Sequence, residues 1–141
     1  MGCNIHFHAE VKVEGKWEHY AHWSVNRNYG LFAKMAGVRN YNETEPIAQP
    51  RGLPEDMSVV TRLDAEHWKA DGHSHSFLNA AEIAELEPWA EENCIAGDQR
   101  WRFHYEYWGY LFGNSWAGWT KYPDERPGGV EDVRFVFWFD N

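Results

Sequence analysis

Long apolar runs are missing from this chain. Nothing approaches the roughly 20 residues that a membrane-spanning helix needs, so no membrane partner is expected. Cysteine is nearly absent: Cys3 and Cys94 are the only two, which excludes a disulfide framework. Basic residues are in deficit, with 13 Lys and Arg against 22 Asp and Glu and a formal net charge of −9. A duplex nucleic acid needs a basic footprint, so it is excluded as the expected partner, whereas a few arginines still suffice for a small anion. There is no glycine-rich phosphate loop, because "PGGV" at 127–130 lacks the strand–helix context. There is no Gly-x-Ser-x-Gly nucleophile elbow either. The first ten residues are too polar for a secretory leader. The expectation is a soluble, reduced, intracellular protein.

Aromatic residues are abundant. The 141 residues include 9 Trp, 7 Tyr and 8 Phe. That length predicts one globular domain over 1–141. Not all these rings fit in one core, so some are expected to line a pocket or interface, where Trp and Tyr combine an apolar body with a polar handle. Spare aromatic surface also suits a homodimer.

Asn4–Val13 alternates, with Ile5, Phe7, Ala9, Val11 and Val13 on one face and Asn4, His6, His8, Glu10 and Lys12 on the other. "EGK" at Glu14–Lys16 then predicts a turn into a returning strand over Trp17–Trp23. Asn26 or Asn28 can cap a helix reaching Ala36, with Gly37 as its stop. Residues 40–57, with Pro46, Pro50 and Pro54, predict a long loop. Ser58 can cap a helix from Val59 to about Lys69. Asn79 and Glu82 form a capping box for a helix over Ala80–Leu86, broken or kinked near Pro88. Arg100–Phe112 fits strand or helix, with helix preferred and Gly113-Asn114 as its stop. Val133–Phe139, "VRFVFWF", predicts a strand. The fold class is therefore α+β: a small, mostly antiparallel sheet, made of an N-terminal hairpin and a C-terminal strand, packed with about three to four helices.

The polar face of the first strand carries the chemistry. His6, His8 and Glu10 project to one side about 6–7 Å apart. "GHSHSFL" at 72–78 supplies a second His-x-His pair, His73 and His75. If the loop carrying that pair lies over the first strand, His6, His8, Glu10, His73 and His75 converge as ligands for a divalent metal, Zn, Mn or Ni. Asp71 or Glu10 then serves as general base toward a metal-polarised phosphoryl group. The plainer alternative is a solvent-facing polar strand and ordinary hydrogen bonding before a helix. Cys94 reads as a small buried apolar residue.

Arg27, Arg39 and Arg51 sit in loop-like or helix-end contexts. Arg51, between Pro50 and Pro54, is held in a stiff frame suited to bidentate binding of phosphate or carboxylate. Its plainer alternative is a salt bridge to one of the many acids. Tyr29, with Trp68 and Trp116, is placed to stack on a base or sugar.

"MGCNIH", "NRNYGLFAKMAGVRN", "PRGLPEDMS", "GHSHSFL", "YWGYLFGNSW" and the closing "VRFVFWFDN" together resemble a family of small phage and prophage proteins. Its members typically open Met-Gly-Cys-Asp-Ile-His and end Phe-Trp-Phe-Asp-Asn. The resemblance spans nearly the whole chain and implies a viral protein acting in the host cytoplasm, without an assigned activity. This chain departs at Asn4, where the family has Asp. Three functions are then expected to compete. The first is a metal-dependent hydrolase of a small phosphorylated, nucleotide-like compound. The second is a non-catalytic sponge that sequesters a host nucleotide immune signal. The third is an inhibitor or other protein-interaction partner.

Overall fold

The computed structural model describes residues 2–23, 27–93 and 115–141. Cys94, the Arg100–Phe112 segment with its Gly113-Asn114 stop, Asn26 and the side chain of Trp116 lie outside what it describes. The predicted hairpin is present as β1 (Asn4–Val13) and β2 (Lys16–Trp23). It turns through Glu14 and Gly15, both at positive φ, the backbone hand that a tight hairpin demands. The C-terminal strand β4 (Val130–Asp140) pairs with β1 on one side. On its other side it pairs with β3 (Gly72–Asn79), the strand that carries His73 and His75. All pairs are antiparallel, in the order β2-β1-β4-β3. The architecture is the α+β class expected.

The alternation in β1 is realised. Ile5, Phe7, Ala9 and Val11 share one face with Val133, Phe135, Phe137 and Phe139 of β4, and all are buried. Helices α1 (Tyr29–Ala36) and α3 (Ala80–Asn93) cover this face with Leu31, Phe32, Met35, Ile83, Leu86 and Ala90. Phe7 packs edge-on against Phe135 at 4.5 Å and Phe32 against Phe139 at 5.0 Å, the tilted contacts that aromatic quadrupoles favour. β4 is buried without a break from Val133 to Phe139, so its second face is covered as well. The cover on that side includes helix α2 (Val59–Trp68). A short helix α4 (Ser115–Lys121) precedes β4. No helix among the described residues is long and apolar enough to cross a membrane.

The caps of α1 and α3 follow from the sequence, whereas Ser58 precedes α2 as expected but its side chain makes no capping bond. Asn28 Oδ1 accepts the Leu31 N–H at 3.0 Å, and Gly37 closes α1 at φ 72°, where a Cβ would be strained. Asn79 and Glu82 form the reciprocal box: Glu82 takes the Asn79 N–H at 3.0 Å, and Asn79 takes the Glu82 N–H at 2.9 Å. Asn79→Ala removes half of that box. It is expected to cost about 1 kcal/mol in urea unfolding, and an unchanged midpoint would show that the box does not hold α3. The expected break at Pro88 is corrected: α3 runs on to Asn93. Burial of Leu86, Glu87 and Ala90 on both sides of Pro88 outweighs the one lost hydrogen bond. The long loop after α1 runs beside β3. Gly52 N–H reaches His75 O at 2.8 Å and Arg51 N–H reaches Ser76 Oγ at 3.2 Å, so part of that sheet edge is capped.

Candidate metal centre

β1 delivers His6, His8 and Glu10 to the second face of the sheet. Three residues apart on a regular strand, His19 and His22 of β2 would point to opposite faces. The register shifts between Ala9 and Glu10: Ala9 faces Ala21, but Glu10 faces His19, leaving Tyr20 as an extra residue. This bulge turns His19 back to the face that His22 occupies opposite His8. His8 and His22 then stack in parallel at 4.4 Å, while His8 Nδ1 and His19 Nε2 are 3.0 Å apart.

α2 supplies the carboxylate. Its packing is inverted: Thr61 and Ala65 are buried, while Val59, Val60 and Leu63 are exposed. The inward face also carries Asp64, whose Oδ2 lies 2.7 Å from His8 Nε2. One potential ligand atom each from His8, His22 and Asp64 lie within 4.8 Å of one another. Tetrahedral ligands about 2.1 Å from a zinc ion sit roughly 3.4 Å apart, so modest side-chain rotation closes this group around an ion. Burial pushes the His8 imidazole down to about 4, against the opposing pull of the Asp64 hydrogen bond. Burial also lowers His19. His8 is therefore neutral at pH 7, the form that binds a metal. His22 is exposed and Asp64 half-buried, which leaves the group open to solvent.

Beside it, a pocket of about 370 Å³ opens between β2 and the start of α2. His19 lies on its wall with Lys16, Trp17, Asp56, Met57 and Arg62. The cationic and aromatic side chains can hold an anion and stack on a ring, while Glu18 and Asp56, also on the wall, oppose excess negative charge.

Of the five ligands expected from sequence, His8 alone belongs to the close group. His6 is engaged by Asp140, Nε2 to Oδ2 at 2.5 Å, with its ring 4.0 Å from Trp68. Glu10 is fully buried, and both its oxygens are occupied. Arg134 Nε donates to Oε1 at 2.8 Å, while the Ser58 N–H and the Thr61 hydroxyl donate to Oε2 at 2.8 and 2.9 Å. That makes it an anchor for α2, held by three donors, and it is not part of the close group around His8.

His73 and His75 do not lie over β1. β4 intervenes, which puts β3 about 10 Å from β1. A bulge between His73 and Ser76, with Ser74 at φ 54°, also separates the pair. His73 bonds Ser74 and Asn141, whereas His75 stacks on Trp138. Asp71 sits exposed in a single 3-10 turn, Lys69–Asp71.

The arginines separate into two places. Arg51 holds Glu82 through both terminal nitrogens and also the Phe77 carbonyl, so its plainer alternative describes it. At the other place, Arg27 donates to Asn4 Oδ1 at 2.9 Å. Arg39 lies over the Tyr29 ring at 5.4 Å and donates to the Tyr41 hydroxyl at 3.2 Å. The Tyr29 hydroxyl in turn accepts the Cys3 N–H at 3.0 Å. None of these arginines lines the pocket beside His19.

Sequence reasoning missed His19, His22 and Asp64. His19 and His22 carried the wrong spacing for a common face. Asp64 had one legible signal: Thr61, Asp64, Ala65 and Trp68 recur at helical spacing opposite the apolar Val59, Val60 and Leu63. The chain matches no protein-family model, and neither curated proteins nor solved structures show a match to it.

Proposed function

We propose that this protein binds a divalent transition metal through His8, His22 and Asp64 and acts on a small phosphorylated, nucleotide-like ligand seated in the adjoining pocket. The observation that carries this reading is the convergence of those three side chains, from two strands and a helix, beside a pocket walled by His19, Lys16, Trp17 and Arg62. Two imidazoles and one carboxylate suit zinc and its neighbours, and three protein ligands leave a coordination position for water or substrate. A metal there supplies Lewis-acid polarisation of a phosphoryl oxygen and an acidified water, which is the chemistry of phosphoester hydrolysis. The resemblance to small phage proteins supports a place of action in the infected host.

Isothermal titration with zinc tests this. The wild type is expected to bind near one equivalent, with His22→Ala and Asp64→Asn each at least tenfold weaker. Equal binding by all three would remove the centre. Phosphoester turnover that needs the same three residues would establish the hydrolase. Tight retention of an unaltered nucleotide would favour the sponge.

A further inference from the structure

Asp64, His8 and His19 form one hydrogen-bonded chain that ends at the pocket. His8 Nε2 is 2.7 Å from Asp64 Oδ2, and His8 Nδ1 is 3.0 Å from His19 Nε2. An ionised carboxylate only accepts, so without metal His8 carries its proton on Nε2. A neutral His8 then has a bare Nδ1, which accepts the His19 Nε2–H. A neutral His19 is left with a bare Nδ1 as its second nitrogen. Every tautomer in the chain is thus set from the Asp64 end.

We infer that metal binding at His8 reverses this chain, so that His19 turns from a hydrogen-bond acceptor into a donor toward its pocket. The inference rests on the metal reading above. A ligating imidazole binds through a bare nitrogen, and Nε2 is the His8 nitrogen that faces Asp64. The ion takes the place of the Nε2 proton, which leaves to solvent. The His19 Nε2 proton crosses to His8 Nδ1, and His19 Nδ1 takes up one proton from solvent. One proton is released and one gained, so neither ring changes its net charge. His8 Nδ1–H then donates to His19 Nε2, the outer hydrogen bond that orients a metal-binding histidine. His19 is the positioning residue for the metal, and its new N–H suits an acceptor such as a phosphoryl oxygen. Metal loading thereby couples to the class of ligand that the pocket accepts.

The test is two-bond 15N–1H correlation spectroscopy on the histidine-labelled full chain, with zinc alone as the probe. Zinc saturation is expected to move the His19 proton from Nε2 to Nδ1. Shifts at His8 and His22 with His19 still protonated on Nε2 would overturn the relay while keeping the metal site. No zinc-dependent shift at His8 or His22 would remove both. A pair of variants gives an independent readout. His19→Phe offers His8 no acceptor, and its zinc affinity is expected to fall about 10–100-fold. In His19→Gln the side-chain carbonyl accepts in place of Nε2, and affinity is expected to return to within a few-fold of wild type. His19 is half-buried on an edge strand, so equal melting of the two variants without zinc shows that both are folded. Equal zinc affinity in His19→Phe and the wild type would refute the positioning role.

Discussion

Glu10→Leu is expected to destabilise the protein by about 3–5 kcal/mol in urea unfolding. Glu10 is 0 % exposed and receives donors from Arg134, Ser58 and Thr61. Its removal leaves the Arg134 guanidinium buried against Asp56 alone, at 2.9 Å, and the Asp56 side chain is largely in solvent. The guanidinium is already under-satisfied. Its Nη2 lies 2.7 Å from Glu10 Oε1 but is not aligned to donate there, and it has no other acceptor among the described residues. The Trp17 ring, 4.0 Å from the guanidinium carbon, offsets only part of that charge. The Ser58 N–H and Thr61 hydroxyl lose their acceptor as well, which frees the start of α2 from the sheet. Glu10→Leu combined with Arg134→Met removes both charges and is expected to recover a large part of the loss. A single-variant cost below about 1 kcal/mol would show that the pair is not what anchors α2.

The same anchor explains which parts of the molecule were legible. A run with one dominant period was read directly. The apolar half of β1, the Asn28 and Gly37 caps of α1, the Asn79–Glu82 box and the apolar β4 all appear as expected. These features are local, and each depends on residues within one turn or one strand. The candidate metal centre depends on departures from period and on strand order. Tyr20 as a bulged residue changes which β2 histidines face His8, and nothing in "KWEHYAHW" marks that insertion. Ser74 does the same in β3, undoing a His-x-His pair that regular spacing put on one face. The insertion of β4 between β1 and β3 is a long-range choice that no local pattern carries. Bulges re-aim side chains, so here the rule of alternation fails at the candidate site.

An inverted α2 follows from the same arrangement. The second face of the sheet carries the buried His8 and Glu10, so the segment that covers it must present partners for them. Ser58, Thr61 and Asp64 do so, while Val59, Val60 and Leu63 are left outside. An apolar inward face would have left Glu10 Oε2 and His8 Nε2 buried without partners, at a cost of about 1–3 kcal/mol each or more for a charge. The polar interior of this layer thus makes the centre possible and also makes the layer sensitive to protonation.

That sensitivity gives the second large effect. Without metal and with chelator present, stability is expected to fall by about 3 kcal/mol between pH 6.5 and pH 4 from His8 alone. Burial holds the folded His8 imidazole down to about 4, against an ordinary value of 6.5. Between those values the unfolded chain binds a proton that the folded chain refuses. Stability is then fully present above pH 6.5 and is lost as pH falls through the folded value, with a limiting slope near 1.4 kcal/mol per pH unit. His19 and His75, lowered chiefly by burial, add losses of the same sign. Burial pushes the Glu82 carboxyl up, but its hydrogen bonds from Arg51 and the Asn79 N–H hold it below its usual value. Its loss therefore comes at lower pH, below about 4.5, and is separable. His8→Gln keeps an amide donor for Asp64 but cannot titrate. Its stability, measured by urea unfolding at half-unit steps of pH, is expected to change less over pH 6.5 to 4 by that same amount. Parallel curves for His8→Gln and the wild type would mean that the folded His8 imidazole takes up its proton as it does in the unfolded chain, so that burial does not hold it neutral below pH 6.5.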